Sequence, residues 1–176
     1  MNVLAQIFGA FALLFLVISY QQKKRIRFLD LQLIANIFYS LQYLVLHAYS
    51  GMVSFLISTI KMAIFRGDEK KGKSTNFFVF IVLEISFVIL GIFTYEGLYS
   101  LIPILGACLF TYGAWQRNLK LSYFIAILVA IMSNVYDIIV GAYVSVISNF
   151  FELFASLIGF VRILDVDINK QYNKKI

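Results

Sequence analysis

Apolar residues occur along the chain in seven long runs that are separated by short polar joints. The runs cover about residues 3–20, 29–47, 50–65, 77–95, 98–115, 121–139 and 143–163. A helix crosses the hydrocarbon core of a bilayer with about 20 mainly apolar residues, and about 17 is the lower end of the range. The pattern therefore predicts seven transmembrane helices. The third run, over 50–65, is the shortest and the weakest of the seven.

The composition agrees with lipid as the solvent of this chain. Of its 176 residues, 61% are apolar and 14% are charged, whereas a soluble domain is about half apolar and about a quarter charged. A soluble globule of this size has too little interior for so much apolar surface. These figures exclude a soluble enzyme, a secreted disulfide scaffold and a disordered segment.

Basic residues mark one predicted side of the membrane. With seven crossings, the first, third and fifth joints lie on the same side as the C-terminal tail. All fifteen Lys and Arg residues fall there or at the adjoining helix ends: Lys23, Lys24, Arg25, Arg27, Lys61, Arg66, Lys70, Lys71, Lys73, Arg117, Lys120, Arg162, Lys170, Lys174 and Lys175. Because Lys and Arg accumulate on the cytoplasmic side, this asymmetry predicts an outer N-terminus and an inner C-terminus. The net charge of +6 then reflects topology rather than nucleic-acid binding.

The first run also has the charge order of an anchored helix. No basic residue precedes it, and four follow it closely. A cleaved signal peptide has the opposite order, with its basic residues before the apolar run. We therefore expect the first run to stay in the membrane.

The predicted topology contains an internal repeat. The first three and the last three predicted helices run in the same direction, because the fourth helix reverses the chain between them. We expect an all-α integral membrane protein of two parallel three-helix bundles joined by an inversion linker helix (3+1+3), a layout found in transporters. An offset of 94 residues, which matches Gln22 to Gln116 and Lys23 to Arg117, supports it weakly. The predicted units are 1–66, the first half; 67–96, the inner loop and linker helix; 97–164, the second half; and 165–176, a cytoplasmic tail.

Polar residues recur at helical spacing inside several runs. Positions three and four apart share one face of a helix, and lipid cannot satisfy polar groups on that face. The stripes therefore predict a polar pocket between the halves. Its candidate substrate-binding residues are Glu152, Asn149, Ser148, Ser58, Asn36, Gln42, Tyr136 and Asp137. The alternative is ordinary membrane packing, in which small and polar residues join neighbouring helices.

Two carboxyl groups lie deep within predicted helices. A charge at such depth costs about 2.5–3.5 kcal/mol and usually has a partner or a role. Glu84 is predicted to form an ion pair with Lys61, which lies at similar depth, or to be protonated. Glu152 has no basic residue in its layer, which favours a pocket role.

Pro103 is the only proline of the chain, and Gly106 follows it by one turn. Because proline removes a backbone hydrogen bond, the pair predicts a kink in the fifth helix. Such a kink is either a static bend or a hinge for alternating access.

The sequence lacks the motifs of catalysis and metal binding. With one cysteine, Cys108, and one histidine, His47, it can form no intrachain disulfide, no Cys/His constellation and no zinc site on these residues alone. A P-loop, a dinucleotide fingerprint, HExxH and CxxC are all absent. We expect no enzymatic activity, no metal and no cofactor.

Several local motifs resemble the YgjV family of small bacterial inner-membrane proteins. They are the run from Gly97 through Pro103 and Gly106 to Trp115, Ser19-Tyr20-Gln21 before a basic loop, the turn from Leu46 to Gly51 followed by Lys61, and Tyr136-Asp137 through Gly141, Asn149, Glu152, Gly159 and Arg162. The chain departs from the family pattern at Gln42, where a His is common, at Lys61, where an Arg is common, and at Asn149-x-x-Glu152, which exchanges a Glu-x-x-Asn order. The resemblance covers nearly the whole chain and implies a multi-pass protein of the bacterial cytoplasmic membrane.

The 3+1+3 plan is similar in architecture to SWEET sugar facilitators and to PnuC-type vitamin carriers, although the Pro-Gln dipeptide of the PQ-loop group is absent. Three functions therefore stay open: a facilitator or carrier of a small polar solute, a non-transporting accessory, scaffold or sensor protein, and an intramembrane enzyme. The last needs two acids within about 5–10 Å of each other around an open site. The expected partners are the lipid bilayer and, for a carrier, a small polar solute, and a homo-oligomer is compatible with each function.

Overall fold

A computed structural model describes residues 3–45, 49–93, 95, 97–139 and 143–172. These residues form seven α-helices and no strand. The helices are α1 (Val3–Ser19), α2 (Arg25–Val45), α3 (Tyr49–Lys70), α4 (Phe77–Phe93), α5 (Leu101–Trp115), α6 (Leu119–Ile139) and α7 (Tyr143–Tyr172). A short 3-10 turn, Leu98–Ser100, precedes α5. The helical class that the apolar runs predict is therefore confirmed for these residues.

Two helices extend beyond their apolar runs. The third run ends near residue 65, but α3 continues to Lys70 and has 22 residues. The last run ends near residue 163, but α7 continues to Tyr172 and has 30 residues. Because Glu, Lys and Arg are good helix formers, the polar residues that end an apolar run do not end the helix.

Three helices contain a segment that is long and apolar enough to cross a bilayer. These segments are Arg25–Val45, Leu119–Tyr136 and Val146–Asp165. Three shorter apolar helices, Val3–Ser19, Phe77–Phe93 and Leu101–Trp115, have 17, 17 and 15 residues. The described chain is thus of the membrane type, while the count of seven crossings and the orientation stay predictions.

The helices pack mainly against their neighbours in sequence. The interfaces of α2 with α1 and α3, and those of α6 with α5 and α7, are the most extensive, while α4 packs on α5 and less closely on α3. The first and last helices, α1 and α7, also meet. This order of contacts is compatible with two three-helix groups, whose relation as parallel repeats stays a prediction.

Glycine lets α7 approach α1 closely. A Cβ atom at Gly159 would overlap the backbone carbonyl oxygen of Tyr20, the residue after α1. Since backbone cannot move aside as a flexible side chain can, only glycine fits this contact without a shift of one helix. The α1–α7 contact therefore depends on residue 159.

One end of the bundle contains the connections 20–24, 71–76 and 116–118, and we term it the basic end. Glu69, near the end of α3, accepts hydrogen bonds from Arg25 Nε at 3.2 Å and from Arg117 Nε at 3.0 Å. Arg25 also donates to the carbonyl oxygen of Ala114, and Arg117 Nη1 donates to that of Gly72 at 3.1 Å. Arginines from two predicted halves thus share one carboxylate.

Candidate functional site

Glu152 lies where α7 meets the end of α1. The hydroxyl group of Tyr20 donates a hydrogen bond to Glu152 Oε1 at 2.7 Å. On α7, the buried residues Ser156 and Gly159 follow Glu152 at helical spacing, whereas Phe154 points outward and is exposed. The face that carries Glu152 therefore turns toward protein, as the polar stripe predicts.

Tyr20 belongs to an aromatic cluster with Phe28 and Tyr123. Its ring centroid lies 5.9 Å from that of Phe28 and 5.8 Å from that of Tyr123, and the rings of Phe28 and Tyr123 are 5.5 Å apart. The rings meet at tilted or edge-to-face angles, which aromatic pairs prefer. All three side chains are fully buried. The aromatic cluster therefore packs α2 and α6 against the tyrosine that donates to Glu152.

The segment 19–22 that carries Tyr20 is held by hydrogen bonds with other helices. Gln32 Nε2 of α2 donates to Ser19 Oγ at 2.9 Å, and Tyr123 Oη of α6 donates to the Gln22 carbonyl oxygen at 2.5 Å. Gln21 Nε2 donates to the carbonyl oxygen of Ala155 in α7 at 3.1 Å. These bonds position the Tyr20 ring and its hydroxyl group relative to Glu152.

The predicted site residues of the first half occupy different surroundings. Asn36 is buried in α2, one turn beyond Gln32 on the same face. Tyr39, the next polar residue on that side, lies close enough to Glu152 for an electrostatic interaction. Gln42 packs against Gly9 of α1, while Ser58 is partly buried in α3.

The predicted site residues of the second half lie on α6 and α7. Ser148 and Asn149, four and three residues before Glu152, share its helix face and are partly buried. Tyr136 stacks on Tyr99 with 6.2 Å between ring centroids. The side chain of Asp137 falls outside the described residues, as does His47. The structure thus gathers the α7 residues around Glu152, and the hydrogen bond of Glu152 goes to Tyr20, which the sequence did not single out as a site residue.

Lys61 lies in a second polar cluster between α3, α4 and α5. Its side chain is 2% exposed, and Nζ donates to Thr111 Oγ1 at 3.2 Å. Nζ also lies 5.0 Å from the ring centroid of Phe87 and 5.2 Å from that of Phe110. Aromatic faces attract a cation within about 6 Å. A hydroxyl group and two rings therefore replace water around the ammonium group.

Glu84, the predicted partner of Lys61, lies within electrostatic range of Lys61 and of the Cys108 thiol. Glu84 Oε1 is buried and has no hydrogen-bond partner. Among the ion pairs of the described residues, which join Arg25 and Arg117 to Glu69 and Arg66 to Asp30, no pair within 4.0 Å links Lys61 to Glu84. The Lys61–Glu84 ion pair stays a prediction.

Pro103 lies in the first turn of α5, three residues into the helix. Backbone N–H groups of a first turn have no partner within the helix, so a proline there removes no intrahelical bond. Gly106 is buried against α6, and a Cβ at this position would lie 3.5 Å from Val129 Cγ1. The early position of Pro103 removes the reason for a mid-helix kink, and a hinge at these two residues stays a prediction.

Tyr123→Phe is expected to destabilise the protein by about 1–2 kcal/mol, because the partly buried Gln22 carbonyl oxygen would lose its donor. The matched control is Tyr112→Phe, since Tyr112 is 40% exposed and its hydroxyl group forms no hydrogen bond with the described residues. Unfolding in mixed micelles, followed by circular dichroism, compares the two variants. Equal stabilities would contradict the role given to the Tyr123 hydroxyl group.

Comparison with known protein families gives a match over most of the chain. The sequence model of a family described as "Bacterial inner membrane protein" matches residues 3–166. No curated protein and no solved structure matches the chain.

Within the described residues, no three His, Cys, Asp or Glu side chains come together as a metal site.

Proposed function

Because this chain belongs to the Imp-YgjV family of bacterial inner membrane proteins, we propose that it carries a small polar solute across that membrane, with its site at Glu152. The observation that supports this proposal is the Tyr20–Glu152 hydrogen bond of 2.7 Å. It places an acid of the last helix against a hydroxyl group at the end of the first. A carboxyl group at membrane depth is expensive, so it usually serves a substrate or proton pathway.

The proposed mechanism is movement of one three-helix half against the other, in the 3+1+3 arrangement with an outer N-terminus. Between the predicted halves, Arg25 contacts Ala114, Tyr123 contacts Gln22 and Arg162 contacts Gln21. These contacts lie at or near the basic end. We take this conformation to be closed at the basic end, with Glu152 approached from the opposite end.

In this proposal, an entering solute replaces the Tyr20 hydroxyl group as the hydrogen-bond partner of the Glu152 carboxyl group. Asn149 and Ser148 supply further hydrogen bonds from the same face of α7, and Asn36 supplies one from α2. Such groups fit a solute with several hydroxyl or amide groups. The chain contains no ATP-binding motif, so transport would be passive or coupled to an ion, with Glu152 as the proton carrier. We propose no enzymatic step.

The test is flux through proteoliposomes that contain the full chain, with sugars, nucleosides and vitamins offered separately. For a solute that the wild-type protein carries, Glu152→Gln is expected to lower the initial rate at limiting solute by about tenfold or more, since a hydrogen bond to a charged group contributes about 1.5–3 kcal/mol. The matched control is Glu84→Gln, which makes the same chemical change in the Lys61 cluster. Equal effects of the two variants would contradict a site at Glu152.

A non-transporting accessory, scaffold or sensor protein is the second candidate. It is favoured by the burial of Tyr20, Ser19 and Gln32, whose polar groups are satisfied by protein partners. Such packing is typical of a static helix interface. No flux of any offered solute, together with a lower stability of Glu152→Gln, would support this candidate over a carrier.

A further inference from the structure

A groove on the surface of the bundle separates α3 from α4. Ile57, Ile60 and Ile64 line it on α3, and Phe78, Val82 and Ser86 line it on α4. Its volume is about 370 Å³, within the range of about 300–1,000 Å³ of small-ligand sites. Although α3 and α4 follow each other in the chain, they pack less closely than most consecutive helices. This gap leaves an apolar groove that is open at the surface of the bundle.

The groove runs from the basic end into the depth of the bilayer. Phe78 lies in the first turn of α4, next to the connection 71–76, and Ile64 lies about two turns before the end of α3. Ile57 and Ser86 lie about two turns deeper. Seven residues of helix rise about 10 Å, so the groove extends about 10 Å along α3 and α4, away from the basic end. This direction and its apolar lining match a lipid acyl chain.

The mouth of the groove is positively charged. Segment 66–76 holds four bases and two acids. Glu69 and Arg66 are engaged with Arg25, Arg117 and Asp30. Lys70, Lys71 and Lys73 are exposed and have no part in these ion pairs. Three lysines at the membrane surface attract an anionic headgroup, at about 1 kcal/mol for each base.

We propose that this groove binds one anionic phospholipid. An acyl chain fills the groove between α3 and α4, and the phosphate group lies among Lys70, Lys71 and Lys73. A second copy of the chain is a poorer occupant, because a two-fold interface brings the same surface patches together and would oppose two basic mouths. The proposal goes beyond solute transport and does not depend on it.

The experiment is native mass spectrometry of the full chain in detergent, with phosphatidylglycerol or with phosphatidylcholine of the same acyl chains. We expect phosphatidylglycerol to be retained with about tenfold preference, as three bases acting together can provide. The triple change Lys70→Gln, Lys71→Gln and Lys73→Gln is expected to remove this preference. Val82→Trp, which fills the groove, is expected to lower retention of both lipids.

Each variant has a matched control in the same chain. Lys23→Gln, Lys24→Gln and Arg27→Gln together remove three exposed charges at the same end of the bundle, and are expected to keep the preference. Val88→Trp adds the same ring at an exposed position of α4 outside the groove, and is expected to keep lipid retention. An equal loss with both triple variants, or equal retention of the two lipids by the wild-type protein, would overturn the proposal. A shift of oligomeric state in Val82→Trp with lipid retention unchanged would assign the groove to a second copy instead.

Discussion

Gly159→Ala is expected to separate α7 from α1 and to lower the free energy of unfolding by about 2–4 kcal/mol. The added Cβ would overlap the carbonyl oxygen of Tyr20, which is backbone and held in place by the Gln32, Gln21 and Tyr123 hydrogen bonds nearby. Relief of the overlap moves α7 outward and lengthens the hydrogen bond from the Tyr20 hydroxyl group to Glu152. The cost therefore combines overpacking with the loss of a hydrogen bond to a carboxyl group.

Other helical glycines provide the controls for this prediction. A Cβ at Gly67 of α3 meets nothing within 4 Å, so Gly67→Ala is expected to stabilise the protein by about 0.5–1 kcal/mol through helix propensity. Gly106→Ala, which adds only an ordinary contact with Val129, is expected to lie between the two. Titration with sodium dodecyl sulfate in mixed micelles, followed by circular dichroism, ranks the variants. If Gly159→Ala matches Gly67→Ala, the close α1–α7 contact is wrong.

Glu69→Gln is expected to destabilise the basic end by about 2–3 kcal/mol. The side chain of Arg25 is 8% exposed and that of Glu69 is 19% exposed, so removal of the carboxylate leaves a cation with little access to water. Breaking a fully buried pair costs about 3–5 kcal/mol. The value here is smaller because the second partner, Arg117, is 41% exposed and can be solvated.

Asp68→Asn is the matched control, since Asp68 is the neighbouring acid on α3 and takes part in none of these ion pairs. It is expected to change stability by less than about 0.5 kcal/mol. A double-mutant cycle of Glu69→Gln with Arg25→Gln and with Arg117→Gln, measured by the same micelle titration, should give the larger coupling energy for Arg25. A larger coupling energy for Arg117 would contradict the role of burial in this cluster.

The apolar runs predicted the seven helices of the described residues, because an apolar segment satisfies its own backbone polar groups when it forms a helix. They did not predict the ends of α3 and α7, since hydropathy detects where the apolar environment stops, whereas a helix continues as long as its backbone hydrogen bonds form. The concentration of bases at one end was likewise predictable from the order of charges. The packing of α1 against α7 was not, because it depends on Gly159 and on a carbonyl group in a distant part of the chain.

The candidate site could be predicted only in part. Helical spacing identified the face of α7 that carries Glu152, and the stripe of α2 that contains Asn36. The partner of Glu152, Tyr20, is 132 residues away and stands at a helix end, where tyrosine is commonly an interface anchor. Its only sequence signal was the Ser19-Tyr20-Gln21 motif. Tyr123 and Gln32 gave no signal, since their importance arises from contacts between helices.

The only tryptophan of the chain, Trp115, lies at the junction of α4 and α5. Its indole ring stacks on Phe80 with 4.7 Å between centroids, and Nε1 donates to the Thr75 carbonyl oxygen at 2.9 Å. All tryptophan fluorescence of this protein therefore comes from one known place, where the linker helix meets the second predicted half. A movement of α4 away from α5 would break the stack and change both the wavelength and the yield of that emission, without any attached dye.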